Sequence, residues 1–324
     1  MNVLISGRLP EAVIRSIAAE HEVDVNPNDY PMKRSEILAR LPDKQGFLCM
    51  ITDSVDAELL AHAPQLKMIA NYGVGYNNID LAAATARGVP VSNTPGVLTD
   101  ATADAAFALM LACARRVVEG DRRTRQGRFR HWAPLHFLGT EVSGKTLGIV
   151  GLGRIGRAVC RRAAGFGMRV LYHNRHRLPA EEEARLGAVY ADLADLLAAA
   201  DFVSLHVPLT EDTRCLIDAD ALRRMKPTAY LINTARGPVV DETALVQALQ
   251  EGRIAGAGLD VYENEPDLAP GLAELENTVL LPHIGSATIE TRTRMAELAA
   301  ENLLAGLRGR KPPNCLNCQQ IYGS

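Results

Sequence analysis

Three side chains of complementary chemistry stand in the last third of the chain. They are Arg236 in Asn233-Thr234-Ala235-Arg236-Gly237, a glutamate in Tyr262-Glu263-Asn264-Glu265-Pro266, and His283 in Leu281-Pro282-His283-Ile284-Gly285-Ser286. A guanidinium fork grips a carboxylate on two points and polarises a neighbouring carbonyl. An imidazole titrating near neutrality gives a proton to an alkoxide as it forms, and takes one in the reverse direction. A carboxylate beside it favours the imidazolium and holds the ring's orientation. Spacing alone leaves Glu263 and Glu265 both open for that last part. Such a set suits the reduction of a ketone, provided that something else carries the hydride.

The carrier's signature lies upstream, in Gly151-Leu152-Gly153-Arg154-Ile155-Gly156. A short apolar run, 146–150, enters this turn as a strand, and a helix from Ile155 to about Gly165 leaves it. Gly151 allows the tight turn, Gly153 lets backbone approach a pyrophosphate, and Gly156 lets helix pack close to strand. The helix N-terminus then offers N–H groups to phosphate. A second strand at 168–172 completes a βαβ unit, the context in which the motif reads as dinucleotide binding. The next strand end, Tyr172-His173-Asn174-Arg175-His176-Arg177, has no acid to hold a ribose 2′-hydroxyl. Asn174 stands where the acid is expected, and Arg175 and Arg177 would welcome a 2′-phosphate. NADP(H) is therefore expected, with NAD(H) as the alternative.

These residues need strand ends to hold them. Residues 1–97 alternate short β-rich runs (3–6, 22–25, 46–51, 66–72, 89–92) with helical ones (10–19, 35–41, 56–62, 79–87), a pattern that implies a parallel sheet with helices on both faces. Thr99 opens a long alanine-rich helix to about Glu119. Further strands are expected at 188–190, 202–206, 229–233, 256–259 and 279–281, and an amphipathic helix at 288–307. Their carboxyl ends carry His206-Val207-Pro208, Arg236, Asp260 and His283, and open α/β sheets bind ligands at such ends. His206 also ends a strand, but Val207-Pro208 beside it points to the cofactor groove. Asp260 is read either as a polar contact near the cofactor or as a structural strand-end carboxylate.

Composition excludes several classes. The chain has 324 residues, 47% of them hydrophobic and 23% charged, with a formal net charge of −3. That argues against disorder and against a global basic field for nucleic acid or membrane. The basic run from Arg122 to Arg130 reads as a solvated helix face or a loop near a dimer contact. No apolar run approaches the ~20 residues that span a bilayer, the N-terminus reads as a strand rather than a leader, and a cytoplasmic setting is expected. No metal site is expected. Cys315-x-x-Cys318 is a lone pair without a zinc partner and reads as incidental.

Four motifs in this order, at 151–156, 233–237, 258–266 and 281–288, resemble the D-isomer-specific 2-hydroxyacid dehydrogenases over nearly the whole chain. The resemblance implies two doubly wound parallel-sheet domains. A Rossmann cofactor domain (98–287) is inserted into a flavodoxin-like substrate domain (1–97, with 288–324 returning to it). It implies that Arg236, Glu265 and His283 form the catalytic set, which raises Glu265 above Glu263, and that the protein is a homodimer. Within the family the chain is most similar to glyoxylate/hydroxypyruvate reductases. Asn71-Tyr72-Gly73-Val74-Gly75 matches the loop whose N–H groups, around Val74 and Gly75, bind the substrate carboxylate. Phosphonate dehydrogenases carry lysine where Val74 stands. The resemblance further places Ile51, Ser286 and Trp132 by the substrate, Trp132 reaching the partner subunit's site. It lines the cofactor with Thr102, Arg154, Ile155, Thr213, Thr234, Ala235 and Gly285 beside the residues already named. Two readings follow: NADPH-dependent reduction of glyoxylate or hydroxypyruvate, or of another small 2-keto acid, and a nicotinamide-sensing binding protein of the co-repressor type. The second shares the Arg/Glu/His set, but the chain lacks extended tails for peptide docking.

Overall fold

The computed structural model describes residues 1–323, which form two compact units: 1–98 joined by the chain from Ala287 onward, and 99–286. The first unit runs β1 (Asn2–Ile5), α1 (Glu11–Ala18), β2 (Glu22–Val25), α2 (Arg34–Arg40), β3 (Gly46–Met50), α3 (Ala57–His62), β4 (Met68–Tyr72), α4 (Leu81–Ala86) and β5 (Val91–Ser92). Its strands are parallel, in the order β2-β1-β3-β4-β5, the flavodoxin-like arrangement. Alternation along the strands sends Leu4, Phe47, Cys49 and Ile69 to one face and Val3, Ile5, Leu48 and Met68 to the other. Each fully buried Leu or Ile of this kind contributes about 1.5–3 kcal/mol.

The second unit opens with α5 (Thr99–Ala114) and α6 (Val117–Arg125). It then winds through β6 (Thr146–Val150), α7 (Arg154–Gly165), β7 (Arg169–His173), α8 (Ala180–Leu186), β8 (Ala188–Tyr190), α9 (Leu193–Ala199), β9 (Phe202–Leu205), α10 (Ala219–Arg224), β10 (Tyr230–Asn233), α11 (Glu242–Gln250), β11 (Gly256–Leu259) and β12 (Thr278–Leu280). Strand order is β12-β11-β10-β9-β6-β7-β8, a Rossmann sheet with a seventh strand added at one edge. Helices α5 and α7 cover one face, and α9, α10 and α11 the other. The chain then returns to the first unit through α12 (Ile289–Leu307) and α13 (Cys318–Tyr322). There Ala296, Ala299, Ala300 and Leu303 of α12 pack on the Val3–Met68 face.

Two expectations need correcting. The alanine-rich helix does not run to Glu119; it stops at Ala114, and Arg116 turns left-handed at φ 54° before α6 begins. The Ala114 carbonyl accepts a 2.7 Å bond from Thr140 N, and Gly139 packs against the same carbonyl, so passing backbone ends the helix. Cys315 and Cys318 are not incidental: they form a disulfide. The loop they close seats Asn317 on the sheet edge. Its Oδ1 accepts from Val91 N of β5 at 2.8 Å and its Nδ2 donates to Val89 O, just before β5, at 3.0 Å, satisfying backbone groups at the sheet edge.

Candidate active site

The topological switch of the second sheet falls between β6 and β9, where neighbouring strands lead their connections away in opposite directions. Gly151 leaves β6 at φ +98°, and a Cβ there would lie 2.7 Å from the His206 carbonyl carbon. Gly156 packs on the Gly151 carbonyl so tightly that no side chain fits, which brings the start of α7 over the turn. Gly153 faces open space, and no side chain caps the α7 N-terminus, where Arg154 and Ile155 begin the helix. Around this cradle two buried polar atoms, His206 Nδ1 and Thr234 Oγ1, have no hydrogen-bond partner among the described residues. His206 Nε2 and Ser204 Oγ share a hydrogen bond at 2.8 Å, and burial pushes the imidazole down to about 4, so it stays neutral at ordinary pH. An open glycine cradle, an uncapped helix end and unspent polar atoms at adjacent strand ends fit a dinucleotide.

The 2′ end of that cradle departs in part from expectation. Asn174 Oδ1 accepts from Leu152 N at 2.6 Å, so the side chain braces the glycine turn. Arg177 is turned away to Glu183, which takes Nε and Nη2 at 2.8 Å each while also accepting from the Tyr172 hydroxyl. These bonds hold the Glu183 carboxyl down to about 2. The acid that claims Arg177 comes from α8, beyond the Tyr172–Arg177 strand end. Arg175 remains largely exposed, its Nη1 4.0 Å from the equally exposed Asp212 carboxylate. Thr213, also expected at the cofactor, spends its hydroxyl on Pro208 O at 2.7 Å within its own turn, leaving Val207 against Gly151.

Arg236, Glu265 and His283 converge at the β10–β12 end of the same edge. Gly237 makes this possible: the Tyr262–Glu263 backbone passes where its Cβ would be. Glu265 Oε2 meets His283 Nδ1 at 2.8 Å, and Glu265 Oε1 accepts from Tyr262 N at 3.0 Å. Burial drives the Glu265 carboxyl upward, but the His283 bond and charge, the Tyr262 N–H and the Arg236 charge outweigh it and leave it below the usual carboxylate value. Glu263 stays outside this pair; its N–H donates to Glu242 at 2.7 Å. Burial lowers the Arg236 pKa, and the Glu265 charge opposes that effect. Arg236 Nη1 donates to the Ala235 carbonyl at 2.7 Å, which orients the guanidinium at its own turn.

Asp260 braces the backbone beside His283. Its two oxygens accept from Ile284 N and Gly285 N, each at 2.7 Å, and so hold the loop that presents His283. Burial raises the Asp260 carboxyl against those two bonds. Buried Thr102 lies beneath Gly285, and Ser286 follows in the chain. His283 itself adopts φ 54°, a left-handed conformation that non-glycine residues avoid. In the first unit Ile51 packs on Gly73, next to Val74 and Gly75. Trp132 is 79% exposed.

Sequence reasoning missed Glu242, a buried carboxyl that fixes the Glu263 backbone, and Asn71 and Asn93, which brace the Gly73–Gly75 loop. The asparagine that follows the apolar Met68–Ala70 run was the available signal.

The family profile described as D-isomer specific 2-hydroxyacid dehydrogenase, NAD binding domain, matches residues 107–285. The chain belongs to the D-isomer-specific 2-hydroxyacid dehydrogenase family. Among such dehydrogenases, a glyoxylate reductase of Thermococcus litoralis is 52% identical over 99% of this chain and 98% of its own length. A solved structure from Thermus thermophilus superposes with a TM-score of 0.91 at 48% identity, covering 98% of this chain and 100% of that one. An NADPH-dependent glyoxylate/hydroxypyruvate reductase from Sinorhizobium meliloti, solved with NADP and malonate, has a TM-score of 0.86 at 34% identity, covering 99% and 97%.

In a dehydrogenase of this family the Glu265–His283 pair gives a direct test. Glu265→Gln keeps the size of the side chain but removes the carboxylate that meets His283 Nδ1 at 2.8 Å, so kcat/KM for keto-acid reduction is expected to fall about 10–100-fold. Steady-state kinetics check this; an unchanged kcat/KM would mean that the pair does not govern turnover.

Proposed function

We propose that this dehydrogenase reduces glyoxylate to glycolate, and hydroxypyruvate to D-glycerate, with NADPH. The observation that carries the reading is the convergence of Arg236 with the Glu265–His283 pair on the sheet edge that also bears the glycine cradle. Similarity to glyoxylate reductases over the full chain supports the choice of substrate.

A bound reduced nicotinamide supplies the hydride. Arg236 grips the substrate carboxylate and polarises the adjacent carbonyl, and a carboxylate is also the proposed ligand of the Val74 and Gly75 N–H groups. Glu265 takes His283 Nδ1, so Nε2, on the far side of the ring, gives the proton to the developing alkoxide. Asp260 holds the backbone that aims the ring.

NADPH is preferred in this reading because Arg175 is exposed at the β7 end, where its one ion pair, to Asp212 at 4.0 Å, is solvent-exposed, and because position 174 carries an asparagine rather than an acid. Homodimerisation would cover the exposed Phe129, Trp132 and Leu135, and would bring Trp132 to the partner's substrate pocket. The cytoplasm is the proposed compartment. The test is a panel of glyoxylate, hydroxypyruvate, pyruvate and phenylpyruvate with both coenzymes. Glyoxylate with NADPH should give the highest kcat/KM, and Arg175→Ala should raise the KM for NADPH about 10-fold while sparing NADH. A clear preference for NADH would overturn the coenzyme assignment; absence of turnover with every keto acid would overturn the reading.

A further inference from the structure

Beyond Tyr72 at the end of β4, the peptide units of Gly73, Val74 and Gly75 all turn their carbonyls to one side. Asn71, fully buried, donates its Nδ2 to Gly75 O at 2.8 Å and to Gly73 O at 3.4 Å. Asn93, also buried, donates its Nδ2 to Val74 O at 2.8 Å, and Thr94 N donates to Gly73 O at 3.0 Å. In a planar trans peptide the C=O of one residue and the N–H of the next point in opposite directions. Fixing three successive carbonyls inward therefore aims the N–H groups of Val74, Gly75 and Tyr76 outward. Among the described residues no acceptor meets those three N–H groups. Such a row of N–H groups is an anion-binding concavity.

Asn93 is itself held in place. Its N–H donates to Asn314 O at 3.2 Å and its carbonyl accepts from Asn302 Nδ2 at 3.3 Å, while Asn302 Oδ1 accepts from Asn314 N at 2.8 Å. Helix α12 and the C-terminal segment thus clamp the residue that clamps Val74. Next to it Ser92 forms an antiparallel bridge with Cys315.

We infer that Asn93, with Asn71, is a positioning residue for the substrate carboxylate: it never touches the substrate but sets the direction of the N–H groups that do. This rests on the reading that the Val74–Gly75 loop binds that carboxylate. It also makes the C-terminal segment part of the substrate-binding apparatus rather than a trailing end.

The test is Asn93→Ala in the full-length protein. The KM for glyoxylate should rise about 10-fold, with kcat within about twofold and NADPH affinity unchanged. Asn93→Ser, which keeps a donor on a shorter arm, should fall between wild type and alanine at an unchanged melting temperature. An unaltered KM in a folded Asn93→Ala protein would overturn the inference. So would a parallel loss of kcat, NADPH affinity and melting temperature in both variants, the signature of a merely structural residue. A crystal structure of the wild-type enzyme with NADPH and oxalate tests the underlying reading separately. Oxalate oxygens away from the Val74 and Gly75 N–H groups would refute the loop's role whatever the variants do.

Discussion

Replacement of His283 by Gln is expected to lower kcat for keto-acid reduction by about 10²–10⁴-fold while leaving coenzyme binding intact. The structure isolates this effect unusually well. The ring is tied to Glu265 through Nδ1, and its backbone is held by the Asp260 bonds to the next two residues. Glutamine fills much of the same space but has no proton to donate at neutral pH. Steady-state rates combined with coenzyme fluorescence titration separate the two outcomes. A variant that loses coenzyme affinity as much as turnover would place His283 in cofactor binding instead.

Arg236→Gln is expected to reduce kcat/KM by about 10³-fold, or roughly 4 kcal/mol of lost transition-state stabilisation. Both parameters should move, because in the proposed mechanism the guanidinium grips the carboxylate in the ground state and polarises the carbonyl as hydride arrives. Arg236→Lys should recover only part of the loss, since an ammonium offers no two-point fork. The residue is enclosed, and burial lowers its pKa, so substitution also removes a charge that Glu265 faces. Equal kinetics in the wild type and Arg236→Gln would remove Arg236 from the mechanism.

Much of this arrangement is legible in the sequence because strand ends are. The runs at 146–150, 22–25 and 256–259 are strands as read, since apolar β-rich segments bounded by glycine or charge leave few alternatives. The glycine turn follows from the steric demands of its φ and of its close packing. What stayed hidden depends on chain that returns from far away. The break at Ala114 is imposed by Thr140, and the fate of Arg177 is decided by Glu183 on the next helix. The choice between Glu263 and Glu265 is geometric, since the partner histidine lies 18 residues along the chain. The service role of Asp260 is of the same kind, because a strand-end carboxylate looks alike whether it faces ligand or backbone. The disulfide, too, becomes meaningful only once Asn317 is seen on the edge of β5.

The left-handed backbone at His283 has a cost that falls on the fold rather than on the chemistry. A residue with a Cβ in that conformation sacrifices about 1–2 kcal/mol relative to its relaxed state. Glycine there would escape the penalty. His283→Gly should therefore melt at a higher temperature than His283→Ala, although both should lose most of their turnover, and calorimetry on the pair would measure the difference directly. Selection for thermal endurance and selection for turnover pull against each other at this position. A search for hardier variants of this enzyme that screened for stability alone would be drawn to the residue it most needs to keep.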